Sequence, residues 1–192
     1  MSRGANWFVC LPTSLEERVR TALASPPRGV RLFHPEDVHL TVAFLGAVDE
    51  AHARAAFVAC LPFPLAPLVA TLGTVKPLGN PRRPSAIAAV VDEGNAALAD
   101  ALRARRDVAL AAADLPPERR DALPHVTLAR VGRKASAAEH REALAWARSL
   151  DVRGASARID RIALFTWNED RAAKLFRIVE ERALEAPPLS GS

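Results

Sequence analysis

The chain has 192 residues, nearly half of them apolar and a quarter charged, which is enough for one large domain with a real core. No apolar run approaches the roughly 20 residues of a membrane-spanning helix, and residues 7–11 are too short for a signal-peptide core, so a cytoplasmic chain with no membrane partner is expected. Formal net charge is only +4, but basic residues cluster at Arg82-Arg83, Arg103-Arg105-Arg106, Arg119-Arg120 and Arg130-Arg133-Lys134. A solvated surface accounts for most of these, and a phosphate-bearing partner would account for those near the histidines.

Taken in order, residues 7–11 read as an opening strand. A helix is expected next, with Thr13 or Ser14 as N-cap, Glu16 and Glu17 in its first turn, and Ser25-Pro26-Pro27 ending it. Residues 30–33 suggest a short strand and 34–37 a turn. Strand 39–46 and a helix over 49–60 follow, the helix stopped by Pro62 and Pro64. Residues 68–78 read as a strand irregular at Gly73, and 77–84 as a turn-rich loop carrying Arg82 and Arg83. The near-continuous apolar run 85–91 predicts a central strand, and 92–113 a helix with Leu98, Leu102 and Leu110 inward. After a break at 114–118, strand 125–130 leads to a helix that Ser136 opens, with Glu139 completing a capping box. Residues 157–166 and 174–181 predict two strands joined by an acidic hairpin, and 187–192 a flexible tail. Cys10 and Cys60 are isolated in apolar surroundings and are expected to pack rather than bridge. Strand and helix do not alternate as in a doubly wound fold, and the paired strands favour an α+β class with antiparallel sheets.

One pattern recurs. His39-Leu-Thr-Val-Ala-Phe-Leu-Gly46 returns as His125-Val-Thr-Leu-Ala-Arg130, and each run stops at a glycine, Gly46 and Gly132. Alternation on a strand puts His39 and Thr41 on one face and Leu40, Val42 and Phe44 on the other. His125 and Thr127 repeat this. With 7 Thr and 5 His in the chain, two chance His-x-Thr pairs have a probability of about 1%.

The doubled His-x-Thr, with the segments 37–46 and 124–130 around it, resembles the two-histidine phosphoesterase superfamily, and within it the RNA 2′,3′-cyclic phosphodiesterases, often named 2′-5′ RNA ligases. The resemblance extends to strands 7–12 and 159–165 and so covers nearly the whole chain as one domain over 1–192. It implies two pseudo-symmetric lobes, each an antiparallel sheet backed by helices, with the histidines facing across the cleft between them. Two features depart from the family: no aromatic stands in strand 85–91, and the chain has no Tyr where the family often has one near Phe176.

Opening a 2′,3′-cyclic phosphate requires a base for the attacking water, an acid for the departing ribose oxygen, and donors to the equatorial oxygens. Histidine suits both proton transfers because its ordinary pKa lies near neutrality. His39 and His125 are the expected catalytic pair, with His39 as acid and His125 as base by resemblance. Thr41 and Thr127 are expected to bind the phosphate. Arg130 belongs to the family pattern, yet strict alternation puts it on the opposite face; a bulge would bring it back. Arg82 and Arg83 are candidate RNA-backbone contacts, and Phe8, Phe33, Phe63 and Trp167 candidate stacking surfaces. His34 is read as a turn residue, and His52 and His140 as helix-surface residues. No metal spacing is present and no cofactor is expected. The expected substrate is an RNA end, hydrolysed to a 2′-phosphate or joined in the reverse 2′-5′ ligation. A small cyclic or 2′-5′-linked nucleotide is the second reading and a non-catalytic RNA-binding module the third; a monomer is expected.

Overall fold

The computed structural model describes residues 5–185, so the tail at 187–192 lies outside them. The strands are β1 Trp7–Leu15, β2 Val30–Leu32, β3 His39–Gly46, β4 Leu68–Asn80, β5 Arg83–Val91, β6 His125–Val131, β7 Ser156–Ile159, β8 Arg161–Trp167 and β9 Phe176–Ala183. The helices are α1 Glu17–Ala22, α2 Glu50–Ala59, α3 Asn95–Ala112 and α4 Ala137–Ser149. All strand pairings are antiparallel. They form two halves, β3-β1-β8-β9 and β2-β6-β5-β4, joined through β7, which pairs with both β1 and β4. The α+β class with antiparallel sheets is therefore the architecture, and each half holds one histidine strand.

The halves are interleaved in sequence. Strand β2 pairs with β6 across a hundred residues, and β8 and β9 return from the C-terminal end to extend β1. Helices α2 and α3 cover β1, β3 and β8, and α4 lies on β4 and β5. The apolar face of β5 and β6 meets α4 through Ile87, Ala129, Val131, Ala143 and Ala147, all buried. Cys10 and Cys60 are buried and free. The capping box of α4 forms, with the Ser136 amide donating to Glu139 Oε2 at 2.7 Å and the Glu139 amide to Ser136 Oγ at 3.2 Å.

Four expectations change. Thr13 and Ser14 do not cap a helix: β1 runs on to Leu15 because its second half pairs with β7, and Glu16 precedes α1 instead. Residues 77–84 are not a loop but the end of a long hairpin, which Asn80 closes by accepting the amides of Arg82 and Arg83 on Oδ1. Residues 157–166 split into two strands at Asp160, since β7 and β8 pair with different stretches of β1. His140 is not on a helix surface: it is buried between α4 and the sheet.

Candidate active site

The two histidine strands share an irregularity as well as a motif. In β3, the partners of β1 run Phe8↔Phe44, Val9↔Ala43, Cys10↔Thr41, so Val42 is an extra residue. In β6, the partners of β5 run Ala86↔Arg130, Ile87↔Ala129, Ala88↔Thr127, so Leu128 is the extra residue. Val42 and Leu128 occupy the same place, three residues past each histidine. Directly paired residues share a face, so one inserted residue reverses the alternation downstream of it. His39, Thr41 and Phe44 therefore face one way, and so do His125, Thr127 and Arg130. The bulge overturns strict alternation for Phe44 and Arg130 alike.

Strands β3 and β6 belong to different halves but approach within 8 Å between Cα atoms. Phe33 ties them: its amide donates to the Leu128 carbonyl at 3.0 Å, its ring lies 6.3 Å from the His39 ring, and the Arg130 guanidinium sits 5.7 Å from its centroid. A cleft of about 280 Å³ opens here, lined by His39, Thr41, Phe44 and Arg130 together with Trp167, Arg171, Leu175 and Phe176. His125 and Thr127 do not line that hollow itself; they stand on the same strand and face as Arg130, and both are partly exposed.

Both imidazoles are held alike. His39 Nδ1 lies 2.6 Å from the Asp37 carbonyl, and His125 Nδ1 lies 2.7 Å from the Leu123 carbonyl. A carbonyl only accepts, so Nδ1 carries the proton in each ring and Nε2 is left free for chemistry. Their surroundings differ. His39 is only 8% exposed and sits among the rings of Phe8, Phe33, Phe165 and Phe176 at centroid distances of 4.9 to 6.3 Å. Burial in that apolar cage pushes its pKa down to about 4, with smaller contributions from positive charge on His125 and Arg130, opposed by the bond to the Asp37 carbonyl.

The other candidates fall in different places. Trp167 lines the cleft with the Arg171 guanidinium 4.0 Å above its ring, and Phe8 and Phe33 are buried against His39. Phe63 is core, away from the cleft. Arg82 and Arg83 sit at the tip of the β4–β5 hairpin, outside the cleft, and Arg83 lines a separate hollow with Arg133 and His140. His34 accepts the Glu36 amide, and His52 bridges Asp49 and Asp114. Two residues were missed from sequence. Phe44 reads as buried under plain alternation yet is 60% exposed, and Asp37 reads as an ordinary turn residue yet is 1% exposed. Among the described residues no group of three or more His, Cys, Asp or Glu side chains could hold a metal ion, and no helix is long and apolar enough to cross a membrane.

Residues 90–173 match the family model of LigT-like phosphoesterases. Among solved structures, TT0787 of Thermus thermophilus is 26% identical, with a TM-score of 0.63 over 94% of this chain and 98% of that one. LigT of E. coli complexed with 3′-AMP is 17% identical, with a TM-score of 0.65 over 94% and 98% of the two chains. The same protein complexed with ATP is 17% identical and gives 0.61 over the same shares. No curated protein matches the sequence. The family match spans the second histidine strand and the fold is shared along nearly the whole chain, so the protein is similar to the LigT-like phosphoesterases.

Proposed function

We propose that this protein is a phosphoesterase that hydrolyses the 2′,3′-cyclic phosphate at RNA ends to a 2′-phosphate, without a metal, through His39 and His125. The observation that carries the reading is the matched tautomer: two imidazoles on neighbouring strands, each with Nδ1–H fixed on a carbonyl and Nε2 free. In-line hydrolysis needs a proton acceptor and a proton donor on opposite sides of phosphorus. One ring takes the proton of water as its oxygen bonds to phosphorus; the other gives a proton to the ribose O3′ as the P–O3′ bond breaks. Thr41 and Thr127 donate hydroxyl hydrogen bonds to the non-bridging oxygens, and Arg130 supplies the positive charge.

For His39 to be the acid, as the resemblance implies, it must be charged when the substrate is in place. Its pKa near 4 leaves it neutral in the empty cleft at pH 7. An anionic phosphate beside the ring, in the low dielectric of the phenyl cage, favours the imidazolium and reverses the effect of burial. Proton uptake on binding is thus part of this reading.

Phe44 and Trp167 present exposed ring surface at the cleft, which suits stacking on the terminal base. That a relative of this fold holds 3′-AMP supports a nucleotide as the ligand. The cleft volume of about 280 Å³ suits little more than one nucleotide, which also favours the second reading, a small cyclic or 2′-5′-linked nucleotide. Arg82 and Arg83, at the hairpin tip, would then serve only longer RNA. The test is incubation of an oligoribonucleotide ending in a 2′,3′-cyclic phosphate with the protein in EDTA, resolving 2′- from 3′-phosphate product. A 2′-phosphate product supports the proposal. A 3′-phosphate product, or activity that returns only with a divalent ion, overturns it.

A further inference from the structure

We infer that Asp37 is a positioning residue that fixes the β8–β9 wall of the cleft against His39; this rests on the reading that His39 takes part in the reaction. The residue makes two kinds of bond at once. Its carbonyl accepts His39 Nδ1–H at 2.6 Å, and its carboxylate accepts two backbone amides from the far end of the chain, Leu175 N–H on Oδ2 at 2.7 Å and Phe176 N–H on Oδ1 at 3.0 Å. Leu175 and Phe176 line the cleft, and the Phe176 ring stands 5.6 Å from the His39 ring. One residue thus sets the imidazole's tautomer and the place of the ring that shields it.

The second motif copy isolates what the carboxylate adds. Leu123 stands where Asp37 stands, two residues before its histidine, and its carbonyl fixes His125 in the same way at 2.7 Å. Orienting the imidazole therefore needs no acidic side chain. The Asp37 carboxylate does something further, and only for the histidine that lies under the β8–β9 connection. A carboxylate 1% exposed is costly to bury unless its oxygens are bonded, and here two amides bond them. Neighbouring contacts reinforce the tie from outside: Lys174 pairs with Glu36, and Arg31 donates to the carbonyls of Arg171 and Ala172. The wall cannot lift without breaking the bonds to Asp37, and lifting it would admit water to His39.

The test uses the full chain with Asp37→Asn, which keeps the shape but turns a donor toward one of the two amides, and Leu175→Pro, which removes one donor and leaves Asp37 intact. The measurements are NMR titration of the His39 ring and the pH profile of kcat/KM on a cyclic nucleotide. Both variants should move the His39 pKa upward from about 4 toward its ordinary value and shift the acidic limb of the profile with it. A residue that only stabilised the fold would lower the melting temperature and leave the titration of the folded protein unmoved. A folded variant of either kind with wild-type His39 titration overturns the inference. The ring titration reads this coupling whichever phosphodiester is the substrate, so it fails separately from the proposed reaction.

Discussion

Phe44 and Arg130 hold equivalent positions in the two copies of the motif, each five residues past its histidine and each turned into the cleft by a bulge at the same place. The repeat therefore carries an aromatic ring in one lobe and a guanidinium in the other. On the proposed reading they divide the substrate between them, ring to base and cation to phosphate.

That division makes two variants separable. Phe44→Ala removes a stacking surface worth about 1–3 kcal/mol, so KM for a cyclic nucleotide should rise roughly 5- to 150-fold with kcat little changed. Arg130→Ala should lower kcat as well, because charge on the phosphate grows toward the transition state. Steady-state kinetics on one cyclic mononucleotide decides; equal KM effects and no kcat effect from either residue would remove Arg130 from the chemistry.

The pair was only half legible in the sequence. The doubled His-x-Thr is a local pattern and needs no tertiary information. So do the capping box at Ser136 and the central strand around Ile87, both of which the structure bears out. The bulges at Val42 and Leu128 are different, because they arise from how β3 meets β1 and β6 meets β5. An Arg in the family pattern at position 130 hinted at the second; nothing hinted at the first, so Phe44 read as core. The four phenyl rings around His39 come from residues 8, 33, 165 and 176, which no window of sequence joins. Asp37 was hidden for the same reason, since its amide partners lie 138 and 139 residues away.

Arg82 and Arg83 predict a dependence on length. Replacing both with Ala should weaken a long cyclic-phosphate RNA and reduce the salt slope of its binding by about 1 to 2, yet spare a cyclic mononucleotide. Binding titrations at three salt concentrations measure this. An unchanged slope would leave the two arginines as hairpin-tip solvation.

The cage around His39 predicts acid sensitivity. Its folded pKa is about 4 against an ordinary 6.5, so between those values the unfolded chain binds more protons than the native one. Stability should fall as pH drops from 6.5 toward 4, by about 3 kcal/mol from this group. Urea unfolding of wild type and His39→Gln at pH 7 and pH 4.5 isolates the contribution, since the variant lacks the titrating ring. The same pH dependence in both proteins would contradict the depressed pKa.

Substrate binding should take up a proton at the same site. Affinity for a non-hydrolysable phosphate analogue should rise as pH falls from 7 toward 5, and calorimetry in buffers of different ionisation enthalpy should report uptake at pH 7. The effect should vanish in His39→Gln. Proton release on binding would count against His39 as the acid.

The two histidines carry the central claim, and their alanine variants test it most directly. On a 2′,3′-cyclic nucleotide, His39→Ala and His125→Ala should each lose about 10²–10⁴-fold in kcat. A p-nitrophenyl phosphodiester has a leaving group that departs without a proton, so on it the acid variant, His39→Ala, should recover most of its deficit while His125→Ala does not. Recovery by His125→Ala instead would exchange the two roles. Full activity of either variant on the cyclic nucleotide would contradict the two-histidine mechanism for this protein.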